Sequence, residues 1–162
     1  MLKASELNLL NVETPTSERK YREGFRNKYK QEAIMLCYVD ARYVMDTFDK
    51  IAGKGNWFNE YVEIKGNLFC KITVYFERED GTISSISKMD CGTESNVEKE
   101  KGESSDAFKR ASVHFGIARD LYSLPEYKCK LESFKDSNGK LVYYVPKNWK
   151  PEIVTEKKYD NF

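Results

Sequence analysis

The sequence predicts a single α+β domain in which a three-stranded antiparallel β-meander is packed by a long helix. One segment has the apolar spacing of a helix, the next three are rich in aromatic and β-branched residues and are separated by turn signals, and a second helical pattern follows. A chain of 162 residues with 40% hydrophobic residues can bury one core. We expect one helix before the meander and a small hairpin after it.

The chain starts with a basic stretch. Residues 17–30 (SERKYREGFRNKYK) contain six basic residues, two acidic residues and three aromatic residues. A solvated helix with i,i+4 charge pairs explains this composition, and so does an arm that contacts phosphates or links subunits. Both interpretations stay open, and we treat residues 1–30 as a basic N-terminal arm.

The first helix is predicted from apolar residues that recur at spacings of three and four. These residues are Ala41, Val44, Met45, Phe48, Ile51 and Ala52. Asp40 is the expected N-cap, and Gly53 is the expected end.

The meander follows directly. Strands are predicted over residues 57–65, 68–78 and 82–90, because Gly66-Asn67 and Asp80-Gly81 are turn signals. The middle strand alternates between an apolar face and a mixed face. A helix must therefore cover one face of this sheet.

The covering helix is predicted over residues 97–115. Ala107, Phe108, Ala111 and Phe115 form its apolar stripe, and Gly116 ends it. A short helix over residues 117–124 is expected before Pro125. The turn Asp-Ser-Asn-Gly at residues 136–139 lies between two short strands, at residues 130–134 and 141–145, and therefore predicts a hairpin.

The charges nearly cancel, since 27 Lys and Arg residues face 26 Asp and Glu residues. This balance excludes a uniformly basic nucleic-acid-binding protein, but it hides an uneven distribution. Residues 1–30 have seven basic and four acidic residues, residues 31–96 have seven and eleven, residues 97–125 have five and five, and residues 126–162 have eight and six. The 22 aromatic residues exceed what a core of this size needs, so some are expected at a surface or an interface.

The expected location is the cytoplasm. The sequence has no apolar run long enough to cross a bilayer, and its first residues lack the pattern of a secretory signal. The four cysteines form no C-x-x-C pair, and the chain has one histidine to complete a metal site. We therefore expect reduced structural thiols and no bound metal: Cys37, Cys70, Cys91 and Cys129.

Catalytic motifs are weak. His114 lies within the predicted long helix without any accompanying motif, and a partly buried, hydrogen-bonded imidazole is the expected outcome. Asp40, Asp46 and Asp49 are the candidates for a metal cluster, although a helix cap explains Asp40 better. The sequence has no P-loop, so any action on nucleic acid is expected to be independent of ATP.

Two sets of cations are candidates for phosphate contacts. The loop at residues 53–57 presents Lys54, either as a plain connection or toward a phosphate. In the long helix Lys101 and Lys109 lie along one side, and Arg110 is adjacent. This row is either a DNA contact or a solvated surface on which Arg110 pairs with Asp106.

Two segments resemble the single-strand annealing proteins of the Rad52 superfamily, in particular its phage Sak and bacterial DdrA-like branches. They are residues 38–57 (YVDARYVMDTFDKIAGKGNW) and residues 98–116 (EKEKGESSDAFKRASVHFG), followed by residues 117–124. The resemblance covers about residues 30–125, with the predicted meander between the two motifs.

This resemblance implies a β-β-β-α core, with residues 31–125 as an annealing domain and residues 126–162 as a C-terminal hairpin and tail. It implies a homo-oligomeric ring or open ring that binds single-stranded DNA in a basic groove and anneals complementary strands in recombination and repair. No cofactor, no membrane and no hydrolytic active site are implied. The cell is expected to be bacterial or phage-infected.

The groove residues are carried over by position. Lys109 and Arg110 correspond to the groove cations, Lys101 to an outer contact and Lys54 to the groove loop. The eukaryotic relatives have a basic residue in the first helix at the position of Tyr43, one residue after Arg42. The resemblance therefore implies a DNA contact from either Arg42 or Tyr43. Val113 stands where those relatives have a further arginine, which favours the phage and bacterial branch.

Two other functions stay open. One is a protein of the same fold that protects DNA ends or recruits a partner, such as a single-strand-binding protein, with little annealing activity. The other is a nuclease built on Asp46 and Asp49, for which the surrounding metal ligands are lacking in the sequence.

Overall fold

The computed structural model describes residues 1–27, 29, 31–92 and 99–151, and of residues 99–101 it describes the backbone alone. The contact pattern divides the chain into two compact units. Unit 1 contains Met1–Arg19 and Val39–Tyr122, and unit 2 contains Lys20–Tyr38 and Ser123–Phe162. Helices and antiparallel sheets are both present, which confirms the predicted α+β class.

Strands and helices are interspersed along the chain. The strands are β1 (Leu2–Lys3), β2 (Lys20–Arg26), β3 (Glu32–Tyr38), β4 (Trp57–Ile64), β5 (Asn67–Glu77), β6 (Ile83–Cys91), β7 (Tyr127–Lys130), β8 (Glu132–Lys135) and β9 (Leu141–Tyr144). The α-helices are α1 (Ala41–Ile51) and α2 (Lys99–Val113), and 3-10 helices cover Ala4–Leu10, Thr16–Glu18 and Arg119–Ser123. None of the helices in the described ranges is long and apolar enough to cross a membrane.

Unit 1 is built on the sheet of β4, β5 and β6. Both β4 and β6 pair antiparallel with β5, and each strand boundary lies within one residue of its prediction. The short strand β1 adds a parallel pairing at the end of β5, where Leu2 is opposite Phe76. The N-terminal residues 1–19 are thus part of unit 1, and Thr14 fixes them through a 2.6 Å hydrogen bond from its hydroxyl to Asp120.

The core of unit 1 lies between one face of this sheet and both α-helices. The elements β5, α1 and α2 contribute the fully buried residues Cys70, Ile72, Val74, Val44, Phe48, Ala107, Phe108 and Ala111, and Leu10 and Ile117 are also fully buried in this core. Trp57 stacks on Phe48 at 4.9 Å and on Phe108 at 6.2 Å between ring centroids. The apolar stripe predicted for the second helix therefore lies in the core, as its spacing indicated.

Local signals begin and end α1 where the sequence predicts. The Asp40 carboxylate accepts a 3.0 Å hydrogen bond from the backbone N–H of Arg42, which is one of the unpaired donors of the first turn. Gly53 follows the helix with a φ of +89°, a left-handed conformation that favours glycine.

The opposite face of the sheet in unit 1 exposes apolar side chains. These side chains are Phe58, Val62, Ile64, Ile83 and Met89. An ion pair at 3.4 Å between Lys71 and Glu60 lies on the same face. Some of the surplus aromatic rings lie at the surface, as expected, because Phe25 is 69% exposed and Tyr122 is 72% exposed.

Unit 2 contains a second antiparallel sheet, in the order β2, β3, β7. One face buries a small core formed by Ala33, Met35, Tyr127, Cys129 and Leu131. The Tyr21 ring packs edge-on against the rings of Tyr127 and Trp149, with 5.2 and 5.6 Å between the ring centroids. The predicted hairpin is present as β8 and β9, and the Asp136 carboxylate accepts hydrogen bonds from the N–H groups of Asn138 and Lys140 in its turn.

The helical interpretation of the basic stretch at residues 17–30 is wrong over residues 20–26, and residues 28 and 30 lie outside the described residues. Residues 20–26 form β2, because alternate side chains such as Tyr21 turn toward the core of unit 2 while the main chain pairs with β3. The sequence predicted no element at β3. The two units also do not coincide with the predicted segments at residues 1–30, 31–125 and 126–162. Each of these segments contributes one strand to the second sheet, namely β2, β3 and β7 in that order. The functional division into arm, annealing core and hairpin with tail stays a prediction.

Candidate nucleic-acid interface

Helix α2 presents its cations at the border of the unit 1 core. Ala107, Phe108 and Ala111 are fully buried against the sheet, and helical geometry places Lys109 and Arg110 on the flanks of that stripe. Both side chains are half-buried. The Lys109 carbonyl accepts a 2.6 Å hydrogen bond from the hydroxyl of Ser112. Lys101 belongs to the same helix, but its side chain lies outside the described residues.

Arg110 forms an ion pair with a residue of the sheet. Its Nη2 lies 3.3 Å from Oδ1 of Asp90 in β6, and its side chain is 40% exposed. Asp90 is opposite Cys70 in the register, so it shares the face that α2 covers. The Nε of Arg110 is buried without a hydrogen-bond partner in the structure.

Asp90 is also in contact with two other groups. It accepts a 2.8 Å hydrogen bond from the N–H of Cys91, and Nε2 of His114 lies 3.3 Å from its other oxygen. Burial alone raises the pKa of Asp90, but the Cys91 N–H and the Arg110 guanidinium outweigh it and hold this pKa below its ordinary value. Burial alone lowers the pKa of Arg110, but the attraction and the hydrogen bond of Asp90, together with smaller contributions that include Asp106, outweigh it and raise this pKa. Asp90 and Arg110 are therefore both charged near neutral pH.

The only histidine of the chain is thus part of this cluster. The hydrogen bond predicted for His114 is present, and its side chain is 48% exposed. Arg119 closes the end of α2, since it donates to the carbonyls of Val113 and His114 at 2.9 Å each.

Lys54 lies in an exposed loop whose backbone is stabilised by hydrogen bonds from Asn56. The N–H of Asn56 donates to the Gly53 carbonyl at 2.9 Å, and its side-chain amide donates to the Ala52 carbonyl at 2.8 Å. These bonds fix the backbone on both sides of Lys54 while its side chain stays in solvent. The loop is therefore an ordered support for one cation.

Arg42 and Tyr43 face different surroundings. Arg42 is exposed in the first turn of α1, whereas Tyr43 is half-buried and packs against the core of unit 1. In the described residues, neither Arg42 nor Lys54 has a side-chain hydrogen bond or ion pair to the cluster of Asp90, Arg110 and His114. The structure thus joins Arg110 to Asp90, keeps Lys101 and Lys109 on the same helix as Arg110, and leaves Arg42 and Lys54 on separate elements.

The aspartates considered as a metal cluster have other roles. Asp40 caps α1, and the Asp49 carboxylate accepts a 2.8 Å hydrogen bond from the indole N–H of Trp57. Across residues 1–27, 29, 31–92 and 99–151, no group of three or more His, Cys, Asp or Glu side chains is arranged to hold a metal ion. The four cysteines are free thiols, of which Cys70 and Cys129 are buried.

Asp90 is the site residue that sequence reasoning missed. The signal was present in the alternation of β6, where Ser84, Ile86, Lys88 and Asp90 share one face. Ile86 packs against the core of unit 1, and Asp90 lies on the same face of β6. The alternation therefore places Asp90 on the side of the sheet that α2 covers.

Comparison with known proteins assigns the family. The model of the Rad52/22 family of double-strand break repair proteins matches residues 7–141, which include α1, the meander and α2. The chain belongs to this family. The family match covers Lys54, Lys109, Arg110 and also Asp90.

Two relatives of this Rad52/22 family member are named single-stranded DNA-binding protein DdrA. The protein from Deinococcus deserti is 30% identical over 119 residues, which are 72% of this chain and 56% of the relative. The protein from Deinococcus radiodurans is 29% identical over 119 residues, which are 72% of this chain and 54% of the relative. The chain therefore matches little more than half the length of these relatives.

Proposed function

We propose that this Rad52/22 family member binds single-stranded DNA and anneals complementary strands without ATP, as a homo-oligomer, in recombination and repair. The observation that carries the proposal is the family match over residues 7–141, together with two relatives named for single-stranded DNA binding. Its place of action is the cytoplasm of a bacterial or phage-infected cell.

In this proposal β4, β5, β6 and α2 are the counterpart of the family's β-β-β-α core. Lys109 and Arg110 on the flank of α2 contact phosphates, Lys101 is an outer contact and Lys54 contributes from its loop. Arg42 is the contact from α1, because it is exposed while Tyr43 packs against the core. Residues 31–125 are the annealing core, with residues 1–30 and 126–162 as accessory segments.

A nearly neutral chain is compatible with this function. Phosphate binding depends on how many cations line the path of the strand, and an oligomer adds the few cations of each subunit along one groove. A net charge of +1 per chain is therefore no obstacle to binding that depends strongly on salt.

The exposed face of the meander is the proposed contact with a second copy of the chain. It combines the apolar side chains of Phe58, Val62 and Met89 with the Lys71–Glu60 ion pair. Exposed apolar clusters of this kind mark interfaces, and charges of both signs allow one copy to pair with another. Val62→Lys is expected to lower the mass measured by light scattering, whereas Lys135→Glu in the hairpin of unit 2 leaves it unchanged.

An annealing assay tests the proposed activity. Two complementary oligonucleotides, one with a fluorophore and one with a quencher, are mixed with and without protein, first naked and then coated with a single-strand-binding protein. We expect faster quenching with protein and no need for ATP. A protein that binds the strands without accelerating their pairing contradicts annealing and supports the second candidate, an end-protecting or adaptor protein.

The second candidate is favoured by one specific observation. Both relatives are named for binding single-stranded DNA and not for annealing it. Recruitment of a single-strand-binding protein belongs to this candidate. Neither candidate includes hydrolysis, and a magnesium-dependent loss of the oligonucleotides during the assay contradicts both.

A further inference from the structure

We propose that Asp90 is an internal competitor for Arg110, whose carboxylate binds the guanidinium in place of a DNA phosphate and lowers the affinity for single-stranded DNA. The inference rests on the proposed function, since it assumes that Arg110 contacts phosphate. It adds a residue of β6 that weakens binding at the same site.

The ion pair is suited to exchange. Its N–O distance of 3.3 Å is longer than the 2.7 to 2.9 Å or so that is typical of charge-assisted hydrogen bonds, and it uses one nitrogen of a group with five N–H donors. The guanidinium is therefore bound by Asp90 without being saturated. Because 40% of the Arg110 side chain is exposed, a phosphate in solvent has access to it.

Asp90 keeps other donors when Arg110 turns to DNA. The N–H of Cys91 at 2.8 Å and the imidazole of His114 at 3.3 Å stay on the carboxylate. Loss of Arg110 thus leaves Asp90 with hydrogen bonds, which limits the free-energy cost of exchange.

The remaining carboxylate still repels the incoming phosphate. Lys88 lies on the same face of β6, two positions before Asp90, and Asp106 lies one helical turn before Arg110, so Asp90 is the acidic residue of β6 that faces the cations of β6 and α2. Removing its negative charge increases the positive potential that the strand meets. A moderate affinity fits annealing, in which bound strands must be released as a duplex.

The test is binding of a fluorescent oligothymidylate, followed by anisotropy at fixed salt. Asp90→Asn removes the charge and keeps an oxygen for the Cys91 N–H. We expect this variant to bind about two- to fivefold more tightly than the wild type, the upper part of the range given by loss of one partly exposed ion pair. Glu79→Gln is the matched control, since it removes the same charge from the exposed turn between β5 and β6, at the opposite end of β6 from Asp90, and its affinity is expected to change by less than about twofold.

Arg110→Ala separates the inference from the proposed function. If Asp90 acts mainly through Arg110, the gain from Asp90→Asn is much smaller in the Arg110→Ala background, where only the repulsion between the Asp90 charge and the phosphate is removed. Unchanged or weaker binding by Asp90→Asn overturns the inference, and so does an equal gain in both backgrounds. Should Arg110→Ala alone bind like the wild type, the proposed DNA contact itself fails. Asp90→Ser replaces Asp90→Asn if circular dichroism shows that the latter does not fold.

Discussion

The indole N–H of Trp57 donates a 2.8 Å hydrogen bond to the carboxylate of Asp49. This bond joins the last turn of α1 to the first residue of β4, across the loop that presents Lys54. The same indole stacks on Phe48 and Phe108, so one side chain connects α1, the sheet and α2. The Asp49 carboxylate therefore has a structural role as the acceptor for Trp57, which weakens the hypothesis of a nuclease site at Asp46 and Asp49.

Asp49→Ala is expected to destabilise the protein by about 1 to 3 kcal/mol, because it leaves a part-buried N–H without its acceptor. Asp49→Asn keeps an acceptor oxygen, so its loss of stability is expected to be smaller. Urea unfolding followed by tryptophan fluorescence measures both, and Asp46→Ala on the exposed side of α1 is the control. Equal losses for Asp49→Ala and Asp49→Asn contradict the assigned role of the hydrogen bond.

Gly92→Ala is expected to destabilise unit 1 by about 1 to 3 kcal/mol, the usual range for overpacking. A Cβ at Gly92 would press against the carbonyl oxygen of Glu103 and lie 3.1 Å from the backbone nitrogen of Ala107, so β6 and α2 would have to move apart. Gly55→Ala is the matched control, since nothing lies within 4 Å of its Cβ position. Thermal unfolding compares them, and a stable Gly92→Ala protein contradicts this close approach of strand and helix.

Alkaline pH is expected to reduce the stability that the buried Cys70 thiol contributes. Burial raises the pKa of the Cys70 thiol from 9.0 to about 11. A raised thiol pKa stabilises the fold fully below about pH 9, and this contribution is lost as the pH rises toward 11. The stability advantage of the wild type over Cys70→Ala is therefore expected to shrink between pH 8 and pH 11 in urea titrations. An advantage that is independent of pH contradicts the prediction.

The elements that the sequence predicted well are those set by local signals. The Asp40 cap, the turns at Gly66-Asn67 and Asp80-Gly81 and the alternation in β5 each act within a few residues. For this reason α1 and the meander were found near their predicted bounds.

The second sheet was missed because its pairing is non-local. Ile34 in β3 lies opposite Lys128 in β7, 94 positions later in the chain. No turn signal or hydrophobic period in either segment indicates that these two strands pair. The Asp90–Arg110 pair has the same origin, since the two residues are 20 positions apart and meet through the packing of α2 on β6. Helical spacing placed Arg110 at the border of the core and pointed to Asp106, one turn away, as a partner, and Asp106 does attract Arg110, but helical spacing gives no information about a partner in β6. The DNA contacts of Lys109, Arg110, Lys54 and Arg42 stay predictions.

The most direct test of the central claim is the salt dependence of single-stranded DNA binding by the wild type and by Lys109→Ala/Arg110→Ala. Light scattering first establishes that both have the same mass, and Lys135→Ala/Lys140→Ala in the exposed hairpin is the control for loss of two charges. We predict a steep decline of log K with log salt for the wild type and the control, and loss of binding for the Lys109 and Arg110 variant. Normal binding by that variant, or a flat salt dependence of the wild type, contradicts the account.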